Sequence, residues 1–397
     1  MTAPMFSRRA FAAAGLALPL LARAAHAALP ANRKFVVVVC RGGMDGLSTA
    51  PPVGDPDYRP LRGALALGDG ALRLDGTFAL HPALATVHRL AQAGQARIAP
   101  AVATPDRARS HFEAQDVLET GAGGVYAASS GWLNRVVEAL SKAGRIEAIS
   151  VGPTAPLILR GPAPAASWSP GRAVDAQARL PKLLQDLYRN DPLLGPALAR
   201  GLTTEAMARE SGAASRTMSG AGARAGAAQG AAAARAMGEA LAGFLRAPGG
   251  PQLAAVSLDG FDTHANQGPL LAARLAALDA LVDGLHAGLG PAWRETVVLA
   301  VTEFGRTVRA NGTGGTDHGT GSASLLLGGA LRPGGIVGDW PTLRRPALYE
   351  DRDLYPALDL RALQKGLLAE HLGMDRRTLD TAIFPDSADV RPASGLV

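Results

Sequence analysis

The chain has 397 residues, 47% hydrophobic and 19% charged, a balance that supports a large buried core and excludes an intrinsically disordered protein. Its 48 glycines and 28 prolines follow no triplet period, which excludes a collagen-like fibre and implies many turns. The formal charge is +6 with 5% aromatic residues, and no basic cluster interleaved with stacking rings occurs, so no nucleic-acid partner is expected.

Residues Phe6 to Phe11 run F-S-R-R-A-F, then comes an Ala/Leu run from Ala12 to Ala22 and the small-x-small triplet Ala25-His26-Ala27. In that order these are the parts of a twin-arginine export signal, with cleavage expected after Ala27. The apolar run is about 11 residues, short of the roughly 20 that span a bilayer, so no stable membrane anchor is expected. The expected partner is the twin-arginine export machinery, and the expected location is periplasmic or secreted. Losing Arg8, Arg9 and Arg23 with the leader lowers the formal charge from +6 to +3. Cys40 is the sole cysteine, so no intramolecular disulfide can form. At the end of an apolar run, it is expected to be a buried small hydrophobe rather than a reactive thiol.

After the leader, Lys34–Cys40 is a continuous β-branched run, the pattern of a strand buried on both faces of a parallel sheet. Apolar runs recur at Arg97–Val102, Ala148–Val151, Gln252–Leu258, Thr296–Val301 and Ala323–Leu327, with helical patterns between several of them, Leu270–Leu289 among them. This alternation predicts an open α/β sheet. Residues 28–397 are expected to form a single domain. An Ala/Gly-rich surface connector is expected near 203–230, because glycines there weaken a helix, followed by a helix over Ala231–Leu245. A short helix over Arg361–Leu372 and a frayed polar tail complete the chain.

In open α/β sheets ligands sit beyond the carboxyl ends of the strands, which gives weight to four places. Asp45 lies in the Gly-rich turn Arg41-Gly-Gly-Met-Asp-Gly46; Asp262 and His264 lie in Asp259-Gly-Phe-Asp-Thr-His264; Glu303 follows the Thr296–Val301 run; Asp317-His318 lies in a loop of small residues before Ala323–Leu327. Carboxylates and imidazoles from separate strand ends suit a divalent metal, zinc above all, with manganese or calcium as alternatives. A fifth place is Arg107-Ala-Arg-Ser-His-Phe-Glu113. Ser110 there is either an N-cap with Glu113 completing a capping box or a nucleophile at a helix N-terminus, with Arg107 and Arg109 supplying positive charge. His111 is a ligand or a general acid/base, and Arg306 either pairs with an acid or binds an oxyanion. His81, His88, His286 and His371 are expected on the surface or in the core. The P-loop and G-x-S-x-G patterns are absent from the sequence, which removes support for nucleotide P-loop and α/β-hydrolase chemistry.

These motifs together, with Arg109-Ser-His-Phe-Glu-Ala-Gln115, Gly260-Phe-Asp-Thr-His264, Thr302-Glu-Phe-Gly-Arg306 and Thr316-Asp-His-Gly319, resemble the exported bacterial family labelled domain of unknown function 1501. That family is remotely similar to the alkaline phosphatase and sulfatase superfamily. The resemblance implies a three-layer α/β/α fold with a mostly parallel, doubly wound sheet, and a metal beside a hydroxyl nucleophile acting on phosphate or sulfate esters. It implies Ser110 as nucleophile, Asp45 as the first-strand ligand, Asp262 and His264 as a ligand pair, and His318 as a later ligand of the same metal. The chain departs from the superfamily in its D-x-H spacing and in carrying Glu303-Phe304 where an Asp-His pair is usual. A hydrolase is therefore expected, with a non-catalytic exported binding or assembly protein as the alternative.

Overall fold

The computed structural model describes residues 32–141, 146–152, 155–169, 179–210 and 227–397. In chain order the strands are β1 (Lys34–Cys40), β2 (Leu72–Arg73), β3 (Ala79–Leu80), β4 (Ala96–Ala103), β5 (Ala148–Val151), β6 (Ala166–Trp168), β7 (Leu253–Leu258), β8 (Thr296–Val301), β9 (Ser322–Leu327) and β10 (Leu358–Asp359). The principal helices are α1 (Gly46–Thr49), α2 (Tyr58–Arg62), α3 (Ala85–Gln92), α4 (His111–Thr120), α5 (Trp132–Ser141), α6 (Arg179–Leu187), α7 (Leu194–Glu210), α8 (Ala227–Arg246), α9 (Gln267–Leu289) and α10 (Leu360–Leu372). Each apolar run singled out in the sequence is a strand, to within a residue at either end.

Eight strands form one sheet in the order β10-β4-β9-β8-β1-β7-β5-β6, and β2 pairs with β3 apart from it. β1 is central, parallel to β7 on one side and β8 on the other, and all seven of its residues are buried. That is why its sequence is an unbroken β-branched run rather than an alternating one. Val36, Val38 and Cys40 face a layer that includes Leu90 of α3, Phe244 of α8 and Leu278 of α9. Phe35, Val37 and Val39 face the opposite layer, which includes Trp132 of α5 and Leu363 and Leu367 of α10. The architecture is thus three layers, α/β/α, around a mostly parallel sheet. Cys40 is fully buried, and burial together with the nearby Glu303 charge pushes its thiol far above the usual range, as a small core hydrophobe requires.

Only β9 runs against the rest, antiparallel to both β4 and β8. Its reversal decides where the chemistry sits. The segment entering β9 lies at the same edge of the sheet as the segments leaving β4, β8, β1 and β7, so five neighbouring strand ends contribute to one place.

Two expectations need correction. Thr203–Glu210 is not a connector but the last part of α7, which packs against β6 and buries Thr204, Glu205 and Ala208; this stretch itself holds no glycine, the glycines that weaken a helix beginning only at Gly212. At its other end the expected connector is also helix, since α8 begins at Ala227 rather than Ala231; residues 211–226 and the expected export leader lie outside the described residues. Nor does the tail fray. Leu379, Ile383, Phe384 and Leu396 are each fully buried, the Phe384 ring lies 5.6 Å from Trp132, and the Glu370 carboxylate accepts from the backbone N–H groups of Gly395, Leu396 and Val397. Among the described residues, no helix is long and apolar enough to cross a membrane.

Candidate metal centre

Asp262 is the hub of the strand-end cluster. Its Oδ1 lies 3.0 Å from His264 Nε2 and 3.2 Å from His318 Nε2, and its Oδ2 lies 3.3 Å from His111 Nε2. The loop after β7 brings Asp262 and His264, the loop before β9 brings His318, and the first turn of α4, beyond β4, brings His111. Close approach at this point depends on Gly42, which has φ +117 and where a Cβ would stand 2.3 Å from the Asp262 amide nitrogen; only glycine fits both conditions.

The second nitrogen of each ring is held by an oxygen acceptor. His111 Nδ1 lies 2.9 Å from Glu303 Oε1, His264 Nδ1 lies 3.2 Å from Asp317 Oδ1, and His318 Nδ1 lies 2.9 Å from the Arg109 carbonyl. Acceptors at all three Nδ1 atoms place the proton of each neutral ring there, so that in the neutral form three Nε2 lone pairs face one carboxylate. Two of those atoms, on His264 and His318, are 3.0 Å apart, and His111 Nε2 is a buried atom with no hydrogen-bond partner. Nitrogens converging on one carboxylate in this way either donate Nε2 protons to it or, when unprotonated, offer lone pairs to a cation. Donor atoms of His111, Asp262 and His318 lie within 4.8 Å of one another, and two ligand atoms on one tetrahedral zinc, each bonded at about 2.0–2.1 Å, are separated by about 3.3 Å. Acceptors behind metal-bound imidazoles are the usual supporting arrangement. The residues therefore fit a divalent ion.

Electrostatics follow the same plan. Burial works against the Asp262 charge, but the Arg306 guanidinium and the neighbouring histidines outweigh it and hold the carboxyl below its usual range. The hydrogen bond to Glu303 raises His111, whereas burial lowers His318. Side-chain exposures of 41% for Asp262 and 46% for His264 leave the centre open to solvent on one side. On the other, the Phe304 ring stands 4.9 Å from His111 and 4.8 Å from His318 and closes it with an apolar wall.

Other residues singled out in the sequence have different surroundings. Asp45 stands apart from this cluster: its fully buried carboxylate N-caps α1 through Leu47, pairs with buried Arg62, and accepts from Ser48 and Gln267. Glu303 and Asp317 sit behind His111 and His264 in this arrangement. Arg306 takes the ion-pair alternative, donating to Asp262 Oδ1 at 2.7 Å and to Thr316 at 2.6 and 3.2 Å. Ser110 occupies the N-cap of α4 with an extended backbone, but its side chain makes no capping hydrogen bond, so the capping-box alternative does not form. Arg109 is bound to Asp353 and Glu350, and Arg107 to backbone carbonyls. Of the remaining histidines, His81 and His371 are buried, while His88 and His286 are half-buried, His286 with its ring 5.0 Å from Trp293.

Sequence reasoning gave no role to Gln115, Glu119, Thr316 or Gln267. Gln115 donates to Glu303, and Thr316 and Gln267 link Arg306 to Asp45. The four-residue spacing of His111, Gln115 and Glu119 on one predicted helix was the available signal.

Among curated proteins, none matches the chain by sequence. Solved structures overlap with it loosely. The C-terminal periplasmic domain of EcEptC from Escherichia coli, in complex with Zn, is 9% identical with a TM-score of 0.35 over 75% of this chain and 72% of that one. Ps i-CgsB, in complex with k-i-k-neocarrahexaose, is 11% identical with a TM-score of 0.41 over 91% and 77%. The lipoteichoic acid synthase LtaP from Listeria monocytogenes is 10% identical with a TM-score of 0.38 over 89% and 76%. Residues 32–383 match the family described as Protein of unknown function (DUF1501), and the chain belongs to that family.

Proposed function

We propose that the protein is an exported, metal-dependent hydrolase of phosphate or sulfate esters. The observation that carries this reading is the convergence of three imidazole Nε2 atoms on the Asp262 carboxylate, each ring fixed from behind. His111, Asp262, His264 and His318 would hold one ion, and three nitrogen donors favour zinc or manganese over calcium, which takes oxygen ligands. When bound, such an ion polarises an ester oxygen and stabilises charge on a leaving group. Ser110, free of capping duty, is the nucleophile in this reading, with the amides of the first turn of α4 favouring an anionic substrate beside it. Arg306 holds Asp262 in place, and Phe304 keeps water from the inner side. Export rests on the twin-arginine leader.

A non-catalytic binding or assembly role is the second reading, favoured by two observations: Arg306 already neutralises Asp262, and Phe304 offers no donor atom for a second metal. Elemental analysis of protein purified without added metal, wild type against Asp262→Ala/His264→Ala, tests the first. About one equivalent of zinc or manganese in the wild type, lost in the double variant, is expected, together with turnover of aryl phosphate or aryl sulfate that Ser110→Ala abolishes. Bound metal without turnover moves the assignment to the second reading, and no metal uptake on titration ends the hydrolase mechanism.

A further inference from the structure

Helix α4 places His111, Gln115 and Glu119 four residues apart, so the three side chains share one face. That face meets the ends of β1 and β8. Glu119 Oε1 accepts from Arg41 Nη2 at 2.6 Å, Arg41 Nη1 donates to Gln115 Oε1 at 3.0 Å, Gln115 Nε2 donates to Glu303 Oε1 at 3.1 Å, and the same Oε1 stands 2.9 Å from His111 Nδ1. We propose that this ladder is a positioning device for the metal centre, and that Glu303 acts through His111 rather than as a ligand; the proposal rests on the metal reading above.

Three features carry it. Glu303 is fully buried, and Oε1 also accepts from the Gly42 amide at 2.8 Å, while Oε2 lies 2.9 Å from Thr302 Oγ1, whose one proton it shares with the Cys40 carbonyl at 2.7 Å. To reach an ion it would have to abandon buried donors, whereas in place it fixes the His111 proton on Nδ1. Second, the Gln115 amide has a defined direction. Arg41 can only donate, so the amide oxygen must face Arg41 and the NH2 must face Glu303. Third, Arg41 is itself fixed by Glu119 and by Ser257 Oγ at 3.2 Å, and Glu119 is fixed by the Ile158 amide at 2.9 Å. Orientation thus passes from a largely buried ion pair through an amide and a carboxylate to the imidazole, whose Nε2 stays bare for a divalent cation.

The test compares wild type, Gln115→Ala and Glu303→Gln by zinc affinity in chelator competition and by the 15N spectrum of the His111 ring in metal-free protein. Gln115→Ala is expected to weaken zinc about tenfold and Glu303→Gln by about 10- to 100-fold, with one equivalent still bound at saturation. His111 is expected to move from the pure Nδ1–H tautomer toward a mixture. Loss of zinc stoichiometry in Glu303→Gln, with a lower coordination number in the cobalt-substituted spectrum, would make Glu303 a ligand and overturn the proposal. So would unchanged affinity and tautomer in Gln115→Ala, the milder variant should Glu303→Gln fail to fold. If the wild type takes up no zinc, the metal reading fails separately, and the metal-free tautomer still decides the ladder.

Discussion

The imidazole of His371 lies in the core beneath α10, with its Nε2 2.9 Å from the Lys34 carbonyl. Burial lowers it from 6.5 to about 4. A depressed histidine favours folding fully above its unfolded value. That contribution is lost as pH falls from about 6.5 toward 4, where the unfolded chain takes up a proton that the folded chain refuses, and nothing further is lost below. The shift corresponds to about 3 kcal/mol. Urea titrations are expected to show the wild type losing about that much more stability than His371→Gln between pH 7 and pH 4; equal slopes for the two proteins would refute it. Residue-scale roles differ in how visible they are in sequence. Asp45 and Asp262 both follow central strands in Gly-containing turns, and nothing local separates them. What separates them is Arg62 and Gln267 reaching Asp45 in the core, against three imidazoles reaching Asp262. Those partners are tertiary, so sequence weighting treated both aspartates as ligands. His111, weighed between ligand and acid/base, joins the Asp262 cluster because the loop between β4 and α4 brings its ring to the loop after β7.

At the scale of elements, the strands were legible because buried parallel strands demand unbroken apolar runs, and β1, β5 and β8 match theirs in full. The C-terminal tail was not, since its apolar residues are spaced irregularly among polar ones. Lys365 shows what that spacing conceals: its buried ammonium donates to Asp380 and to the Ser387 and Val390 carbonyls, tying the tail to α10. Phe384, from the same segment, packs its ring at a tilt against Trp132 of α5. Truncating a buried aromatic costs about 3–5 kcal/mol, a large share of a typical total of about 5–15 kcal/mol. Phe384→Ala is accordingly expected to lower the denaturant midpoint sharply without altering metal stoichiometry in whatever fraction stays folded. A midpoint unchanged from wild type would mean that the tail is peripheral.

On the scale of the whole molecule, the metal centre has no local origin. The clustered side chains come from His111, Asp262, His264 and His318, and their supports from Arg109, Glu303 and Asp317, so they span much of the sequence and meet only when β4, β9, β8, β1 and β7 are aligned in one sheet. On the proposed reading no short segment would bind the ion ahead of folding, and binding free energy would therefore add to folding free energy. With a single cysteine, the chain also gains nothing from folding in an oxidising compartment. Both would suit a route that carries cargo already folded, the twin-arginine route proposed from the Arg8-Arg9 pair. Replacing Arg8 and Arg9 together by lysine keeps the positive charge of the leader while removing the paired guanidinium groups. The expected result on cell fractionation is a precursor held in the cytoplasm that is protease-resistant and carries its metal, while the wild type is recovered in the periplasm or medium without residues 1–27. Export of the double-lysine variant at the wild-type rate would rule out the twin-arginine route. A retained precursor that is protease-sensitive and metal-free would instead place folding and metal loading after export.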